Sequence, residues 1–546
     1  MPAALECTTL NELIDQACKN YANNDAFTCL GKTLSFADID RLSAQFASYL
    51  QNHTNLKPGD RVAVQLPNLL QFPVVVFGIL RAGMIVVNTN PLYTDREVEH
   101  QLNDSGAKVM VVLANIANTA ASVMNDTTVE QVIVTEIGDL HGTLKGNLMN
   151  LVVKKVKKMV PDFHFDNAVK FKQTLKLGSE KPPQDANVSP DDIAVLQYTG
   201  GTTGVAKGAM LSHGNLTANF KQVYALTEGT LGEGTEIFAA PLPLYHVYAF
   251  TTHCSMVFGL GNHSVLIPNP RDFDSVVDAL KPHKFTGFIG LNTLYNGLLH
   301  HEGFRSLDFS NLKVSNAGGM AMTPDVSKLW SDLTGVEIAE GYGLTETSPV
   351  ASANPLNDIR IGTVGKAIKD TEIVLMDPDH NIVPQGERGE IAIRGPQVMK
   401  GYWQRPEATE EVITPDGFFL TGDIGIIDAD GYIRIVDRIK DMILVSGFNV
   451  YPNEIEQVVS NMDKVLESAA IGVPHPKSGE AVKLFVVKAD DSLTAEEVIA
   501  YCRENMTGYK VPKFVEFREE LPKSNVGKIL RRMLKEEEQA TRELTV

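Results

Sequence analysis

Residues 198–208 read Tyr-Thr-Gly-Gly-Thr-Thr-Gly-Val-Ala-Lys-Gly, and the chemistry of this run organises the rest of the chain. Glycines let backbone N–H groups turn inward around an anion, hydroxyls add donors, and Lys207 supplies a point charge. Such a loop suits a polyphosphate. The Walker pattern G-x-x-x-x-G-K-[ST] does not fit, because counting from Gly200 or Gly201 puts Val205 or Ala206 where the second glycine belongs. A nucleotide chemistry other than that of P-loop NTPases is expected, with a plain Gly/Thr surface loop as the alternative.

Outward from this loop, the first two hundred residues alternate helix-like and strand-like patterns. Leu10, Leu13, Ile14, Ala17 and Cys18 recur at helical spacing. Ser35-Phe-Ala-Asp38 reads as a helix start with Asp38 in place of the usual Glu or Gln. Thr94-Asp-Arg-Glu97 fits the full capping box and opens a helix expected to end near Gly106. Short apolar runs between them, Arg61–Leu66 and Lys108–Leu113, have the length of buried strands. The alternation predicts an α/β fold, with a large N-terminal domain of mixed, mainly parallel sheets covered by helices. From about residue 360 the pattern turns strand-rich (Thr371–Met376, Gly389–Arg394, Tyr432–Val436), which predicts a small antiparallel β subdomain. Beyond Asp441 about a hundred residues of mixed pattern predict a small α+β C-terminal domain. The polar run Asp437-Arg-Ile-Lys-Asp441 suits a solvated hinge or one more surface turn. The expected division is 1–437, a hinge at 438–441, and 442–546.

At 546 residues the chain is too long for one core. Its 43% hydrophobic and 21% charged content are ordinary for a globular enzyme. A formal charge of −18 argues against a nucleic-acid partner, so an anionic ligand must be held by local cations and oriented N–H groups. Five cysteines (Cys7, Cys18, Cys29, Cys254, Cys502) without C-x-x-C spacing read as free thiols in a reducing compartment. Glu6 interrupts any signal-peptide pattern, and Arg81 with two glycines breaks the apolar segment Phe72–Val87, so a cytoplasmic location is expected. One stretch qualifies this: Leu148, Val152, Val156 and Met159 lie at helical spacing among Lys154, Lys155, Lys157 and Lys158. Such a helix suits peripheral contact with the inner surface of an anionic membrane; the ordinary alternative is a helix docked on its own domain with solvated lysines.

Four further segments carry chemistry. Glu340-Gly-Tyr-Gly-Leu-Thr-Glu346 places an aromatic ring between glycines, then a hydroxyl and a carboxylate. The ring can stack on a base and the carboxylate can hold Mg²⁺ against phosphate oxygens. Thr421-Gly-Asp423 offers a carboxylate suited to ribose hydroxyls. Asp437–Asp441, followed by Val445-Ser-Gly-Phe-Asn449, adds cations beside a glycine turn, and Pro522-Lys-Ser-Asn-Val-Gly-Lys528 ends on a lysine.

In this order the five segments resemble the adenylate-forming superfamily of acyl-CoA synthetases, luciferases and peptide-synthetase adenylation domains, over residues 10 to 535. Stretches such as Phe77–Asn88, His100–Gly106, Met442–Glu456 and Leu521–Arg532 are most similar to bacterial long-chain fatty acyl-CoA synthetases. The resemblance implies a mobile C-terminal domain and three substrates: ATP, a fatty acid and coenzyme A. It implies ATP contacts from Tyr198, Thr199, Gly200, Gly201, Thr202, Thr203, Gly204 and Lys207. Thr202 and Glu346 match the magnesium-linked catalytic positions, and Thr345 a phosphate contact. Gly319, Glu340, Gly341 and Tyr342 match the adenine wall, Asp423 and Arg438 the ribose contacts, Lys528 the adenylation lysine and Lys440 the hinge position. Pro243-Leu-Tyr-His246-Val-Tyr-Ala-Phe250 resembles the aromatic segment at the acyl pocket, which puts His246, Phe250 and Gly318 beside the acyl or CoA path; a structural core histidine is the alternative for His246.

There are two departures from the family pattern. Leu444 stands where many relatives carry a lysine near the nucleotide, and the N terminus is short enough for an N-terminal surface or dimer contact to be lacking. A homodimer stays an open partner reading. Small residues in Phe285–Leu299 and Asn316-Ala-Gly-Gly-Met-Ala321 are the expected walls of an apolar acyl slot. A medium-chain or aryl acyl-CoA ligase is the nearest alternative function, and a nucleotide-binding module without catalysis is the alternative from another class.

Overall fold

Helix starts fall where local side chains satisfy the first backbone N–H groups. In the computed structural model, which describes residues 2–199, 206–523 and 529–543, Glu97 Oε2 accepts the Thr94 N–H at 2.8 Å, opening the helix Asp95–Ser105. Ser35 and Asp38 exchange the reciprocal pair at 3.1 and 3.3 Å ahead of the helix Phe36–His53, so the shorter Asp38 serves as the box partner. The helix Leu10–Asn20 buries Leu10, Leu13, Ile14, Ala17 and Cys18, the face that the spacing predicted.

The chain divides into two compact units, residues 1–372 with 394–417, and residues 373–393 with 418–546. In the first unit, two sheets carry the chemistry-bearing loops. One runs Ala168–Lys170, Gln131–Thr135, Val109–Leu113, Arg61–Gln65, Ile85–Asn88, Ile193–Thr199, Lys207–Ser212, and is parallel up to its last, antiparallel pair. Val109–Leu113 and Ile85–Asn88 are buried along their whole length, as parallel strands covered on both faces require. The other has a parallel core of Asp25–Cys29, His263–Leu266, Ile237–Ala240, Gly287–Gly290, Val314–Ala317 and Ile338–Gly343. Antiparallel strands extend it at both edges.

Beside this second sheet the core is aromatic. Trp330 is fully buried among Phe288, Tyr295, Phe304 and Phe309, with ring centroids 4.6–6.4 Å from its own. Its indole N–H donates to Ser315 Oγ at 2.9 Å, and Tyr295 OH donates to the Asn316 carbonyl at 2.8 Å. The strand that leads into the Asn316–Ala321 turn is therefore clamped from below. Phe285, Phe288, Tyr295 and Leu298, the large apolar side chains of the 285–299 stretch, fill this core.

The second unit holds the predicted antiparallel sheet, ordered Glu372–Met376, Arg388–Arg394, Phe419–Ile427, Ile433–Arg438. It also holds a sheet built on the long hairpin Val465–His475 and Gly479–Lys488. Phe514–Arg518 joins that hairpin in parallel, and the helices Pro452–Val459 and Ala495–Asn505 bury Ile455, Val459, Val498 and Cys502 against it. The run 437–441, expected as the hinge, lies inside this unit as the end of a strand and a single short turn. All five cysteines are buried and free. Among the described residues no helix is long and apolar enough to cross a membrane.

Trp330→Ala removes the centre of the aromatic cluster, so the first unit should lose about 3–5 kcal/mol of stability. The readout is an earlier unfolding midpoint in urea followed by circular dichroism; an unchanged midpoint would contradict the packing described.

Candidate active site

The strand pair that carries the phosphate-type loop is held in register on both sides of it: Tyr198 lies opposite Gly208, and Thr199 opposite Lys207. A Cβ at Gly208 would sit 3.0 Å from the Tyr198 ring, so the glycine lets the two strands close. Tyr198 OH donates to Asp104 Oδ2 at 2.7 Å, and Asp104 pairs with Arg405 at 2.5 Å. Gly200, Gly201, Thr202, Thr203 and Gly204 lie outside the described residues.

Lys207 at the loop's exit and Glu346 are brought together through a residue that the sequence reading did not single out. The Lys207 ammonium sits 5.1 Å from the centroid of the Tyr402 ring, and Tyr402 OH donates to Glu346 Oε1 at 2.8 Å. A cation over an aromatic face is attracted by the ring quadrupole. Burial and the neighbouring Glu346 push the Tyr402 hydroxyl well above its usual range, so it stays a donor to the carboxylate. Glu346 is buried in the short turn Thr345–Thr347, and its backbone carbonyl accepts the Met399 N–H at 2.8 Å. The available signal was the aromatic pair Tyr402-Trp403 after Gly401.

Glu340, Gly341 and Tyr342 end the strand Ile338–Gly343, next to the strand that delivers Gly318 and Gly319. Gly319 has φ +78°, a left-handed turn that a side chain would strain. A Cβ at Gly318 would meet the Gly341 carbonyl and the Tyr248 ring at 3.4 Å, so these three segments form one wall. Tyr248, also unassigned from sequence, donates to Asn316 Oδ1, and Asn316 Nδ2 donates to the Ala339 carbonyl at 2.7 Å. Burial pushes the Glu340 carboxyl up to about 7, although it accepts the Met322 N–H at 3.1 Å. A carboxyl poised there can accept from, or donate to, the edge of a heterocycle.

The 242–250 segment is anchored from two sides. Asn68 accepts the Leu244 N–H at 2.8 Å and donates to the Leu242 carbonyl at 2.8 Å, and Gln197 donates to the Tyr245 carbonyl at 2.9 Å. His246 then caps the turn Val247–Ala249, its Nδ1 accepting the Tyr248 N–H at 3.4 Å, while Phe250 is buried.

In the second unit Asp423 and Arg438 are direct cross-strand partners, with Oδ1 and Nε 3.1 Å apart. Glu390 accepts the Gly422 N–H at 2.8 Å, and burial raises its carboxyl with a smaller push from Asp423. Lys440 is exposed on the turn Ile439–Asp441, and its carbonyl accepts from Lys535 at 3.1 Å. On either side of this turn sits a charged cluster. Part-buried Arg531 pairs with Glu456 at 2.5 Å and Asp441 at 3.4 Å, and donates to Asn453 at 2.6 Å. Asp437, which accepts the Asn453 N–H at 2.7 Å, is pushed up to about 6 by burial. Leu444 is exposed and paired with Asn449. Lys528 lies outside the described residues.

No group of three or more His, Cys, Asp or Glu side chains suited to a metal occurs among the described residues. A single buried carboxylate such as Glu346 fits Mg²⁺, which keeps waters and substrate phosphate oxygens as its other ligands.

Comparison with known proteins fits this geometry. The family model described as AMP-binding enzyme matches residues 14–403, and that of the AMP-binding enzyme C-terminal domain matches residues 454–528. The chain is 52% identical over 530 residues to a long-chain-fatty-acid–CoA ligase of Escherichia coli O6:H1, covering 97% of this chain and 94% of the relative. It is 51% identical over 534 residues to a ligase of the same name from Haemophilus influenzae, covering 97% and 95%. The crystal structure of ATP-bound MatB from Rhodopseudomonas palustris superposes with a TM-score of 0.84 at 29% identity, covering 97% of this chain and 98% of that one. Family models spanning most of the sequence, and relatives matched almost end to end, together show that the chain belongs to the AMP-binding enzyme family.

Proposed function

We propose that this chain ligates a long-chain fatty acid to coenzyme A through an acyl-adenylate. A carboxylate oxygen of the fatty acid attacks the α-phosphorus of ATP, and pyrophosphate leaves. The CoA thiolate then attacks the carbonyl carbon of the mixed anhydride, and AMP leaves. The near-end-to-end likeness to long-chain-fatty-acid–CoA ligases carries the reading, and the Lys207–Tyr402–Glu346 cluster at the exit of the Gly/Thr loop supports it.

Both reactants of the first step are anions, so their approach needs positive charge and oriented donors where they meet. Lys207 and the N–H groups of residues 199–204 are proposed to hold the β- and γ-phosphates, with Thr345 as a further phosphate contact. Lys528 is proposed to bridge carboxylate and α-phosphate. Mg²⁺, when bound to Glu346 and Thr202, supplies charge neutralisation to the phosphate oxygens. Tyr402 orients Glu346 by donating to it. Gly319, Glu340, Gly341 and Tyr342 are proposed as the adenine wall, and Asp423 with Arg438 as the ribose contacts. His246, Phe250 and Gly318 are proposed to line the acyl or CoA path. His246 is not needed as a base, because a fatty carboxylate is already ionised near neutral pH. Residues 438–441 are proposed as the hinge between an adenylating and a thioester-forming arrangement, dividing a 1–437 domain from a mobile 442–546 domain. Contact with the cytoplasmic membrane surface, and a homodimer, belong to the same reading.

Lys528→Ala should slow adenylation by roughly 10²–10³ while leaving CoA transfer from supplied acyl-adenylate largely intact; equal loss in both half-reactions contradicts the role. Lys440→Pro should slow thioester formation more than adenylation in single-turnover experiments, and unchanged turnover removes the hinge assignment. Across a chain-length series of fatty acids, each buried methylene adds about 0.8 kcal/mol, so kcat/KM should climb to a long-chain plateau. A maximum at an aryl or medium-chain acid would favour the alternative ligase reading.

A further inference from the structure

The helix Thr143–Leu151 is turned inside out relative to an ordinary surface helix. Its inward side is glycine and amide: the Gly138 N–H donates to Asn150 Oδ1 at 2.7 Å, Asn150 Nδ2 donates to Glu136 Oε2 at 3.0 Å, and both side chains of that pair lie against the domain. A Cβ at Gly146 would sit 2.1 Å from the Gly138 carbonyl, so only glycine permits this approach. Lys172 closes the same side by donating to Asn147 and pairing with Asp139, each at 3.3 Å. Leucines occupy the opposite side. Leu144 is 88% exposed, and Leu148 and Leu151 are more than half exposed.

The helix continues into a wider turn at Val152–Val156, closed by the Lys157 N–H donating to the Val152 carbonyl at 2.8 Å and held at its far end by Asn115 on the Met159 carbonyl at 3.1 Å. There Val156 is 72% exposed and Met159 is exposed as well. A second element meets the first turn of the helix. At the tip of the hairpin between Asp25–Cys29 and Lys32–Ser35, Leu30 is exposed with φ +48°, an uncommon angle for a leucine. A Cβ on the adjoining Gly31 would lie 3.6 Å from Lys145 Nζ. The hairpin is tied to this region by His141 Nε2, 3.1 Å from the Cys29 carbonyl. Residues 143–159 contain five lysines and no Asp or Glu, in a chain whose formal charge is −18.

We propose that this surface, Leu30 with residues 144–159, docks the protein on an anionic lipid bilayer, the leucines entering the acyl boundary and the lysines pairing with headgroup charges. It deepens the membrane contact in the functional reading above. Solvated lysines on a helix docked by its own apolar face would leave the leucines buried, and here they point outward. Apolar side chains flanked by lysines match an interface that is hydrocarbon at depth and negative at its surface. An aqueous partner protein would need a groove for the leucines and a separate acidic rim. Long-chain fatty acids partition into bilayers, so docking would hold the enzyme where its substrate is concentrated.

The test is co-sedimentation of the full-length protein with phosphatidylcholine vesicles with and without phosphatidylglycerol. Binding should require the anionic lipid and fall in high salt. The triple change Leu144→Ser, Leu148→Ser, Leu151→Ser, and separately the pair Lys154→Glu, Lys157→Glu, should each weaken vesicle binding roughly tenfold or more. Both variants should keep their circular dichroism melts and their ligase activity on fatty acid supplied in detergent. Equal binding to neutral vesicles, or binding untouched by either variant, overturns the proposal. A drop in sedimenting mass of the triple variant without vesicles would overturn it in favour of a second copy of the chain as the occupant. Loss of ligase activity in the parent protein would strike the functional reading and leave the vesicle result standing.

Discussion

Parallel strands must bury both faces and return through crossovers, and this constraint assembles the candidate site. In the second sheet of the first unit, Gly287–Gly290, Val314–Ala317 and Ile338–Gly343 run in the same direction and in close register. Their carboxyl ends therefore empty side by side into the turn 316–321 and the segment 340–346, where ligands gather in open α/β sheets. Trp330 and Tyr295 fix the height of that edge through Ser315 and the Asn316 carbonyl. Asn316 passes the constraint upward to Tyr248 and Ala339. The wall proposed to face a nucleotide is thus braced by the aromatic core beneath it.

The electrostatics follow from a mismatch. An acidic chain that binds ATP cannot rely on its overall field, so positive charge has to be local and oriented. The Lys207 cation, proposed to meet this need, lies over the Tyr402 ring, whose hydroxyl donates to the Glu346 carboxylate. The tyrosine keeps the two charges near each other but apart, so each can serve a different group. In the second unit, opposite charges are instead paired directly, Asp423 with Arg438 across strands and Arg531 with Glu456 around the turn at 437–441. Asp437 is buried within that cluster, and its burial pushes the carboxyl up to about 6.

Much of the scaffold was legible in the sequence because it is set by local chemistry. The capping residues Ser35, Asp38, Thr94 and Glu97 mark their helices, and the apolar runs near 61–66 and 108–113 became buried strands. Tyr402 and Tyr248 were not singled out because their importance lies in long-range partners, Glu346 and Asn316, and no spacing encodes those contacts. The large side chains Phe285, Phe288, Tyr295 and Leu298 belong to the core for a related reason: apolar residues near a site and apolar residues beneath it look alike until a core claims them. The 148–159 periodicity was visible, but which side faced solvent was not. That choice was made by Gly138 and Gly146, two glycines that allow close docking on the polar side.

Carboxylate attack on phosphorus is tested most directly by isotope transfer. Palmitate labelled with oxygen-18 in both carboxylate oxygens would be turned over with ATP, Mg²⁺ and CoA, and the AMP weighed by mass spectrometry. Formation and thiolysis of an acyl-adenylate put one labelled oxygen into the phosphate of AMP and leave the other in the thioester carbonyl. Unlabelled AMP, or label appearing in inorganic phosphate, would contradict it.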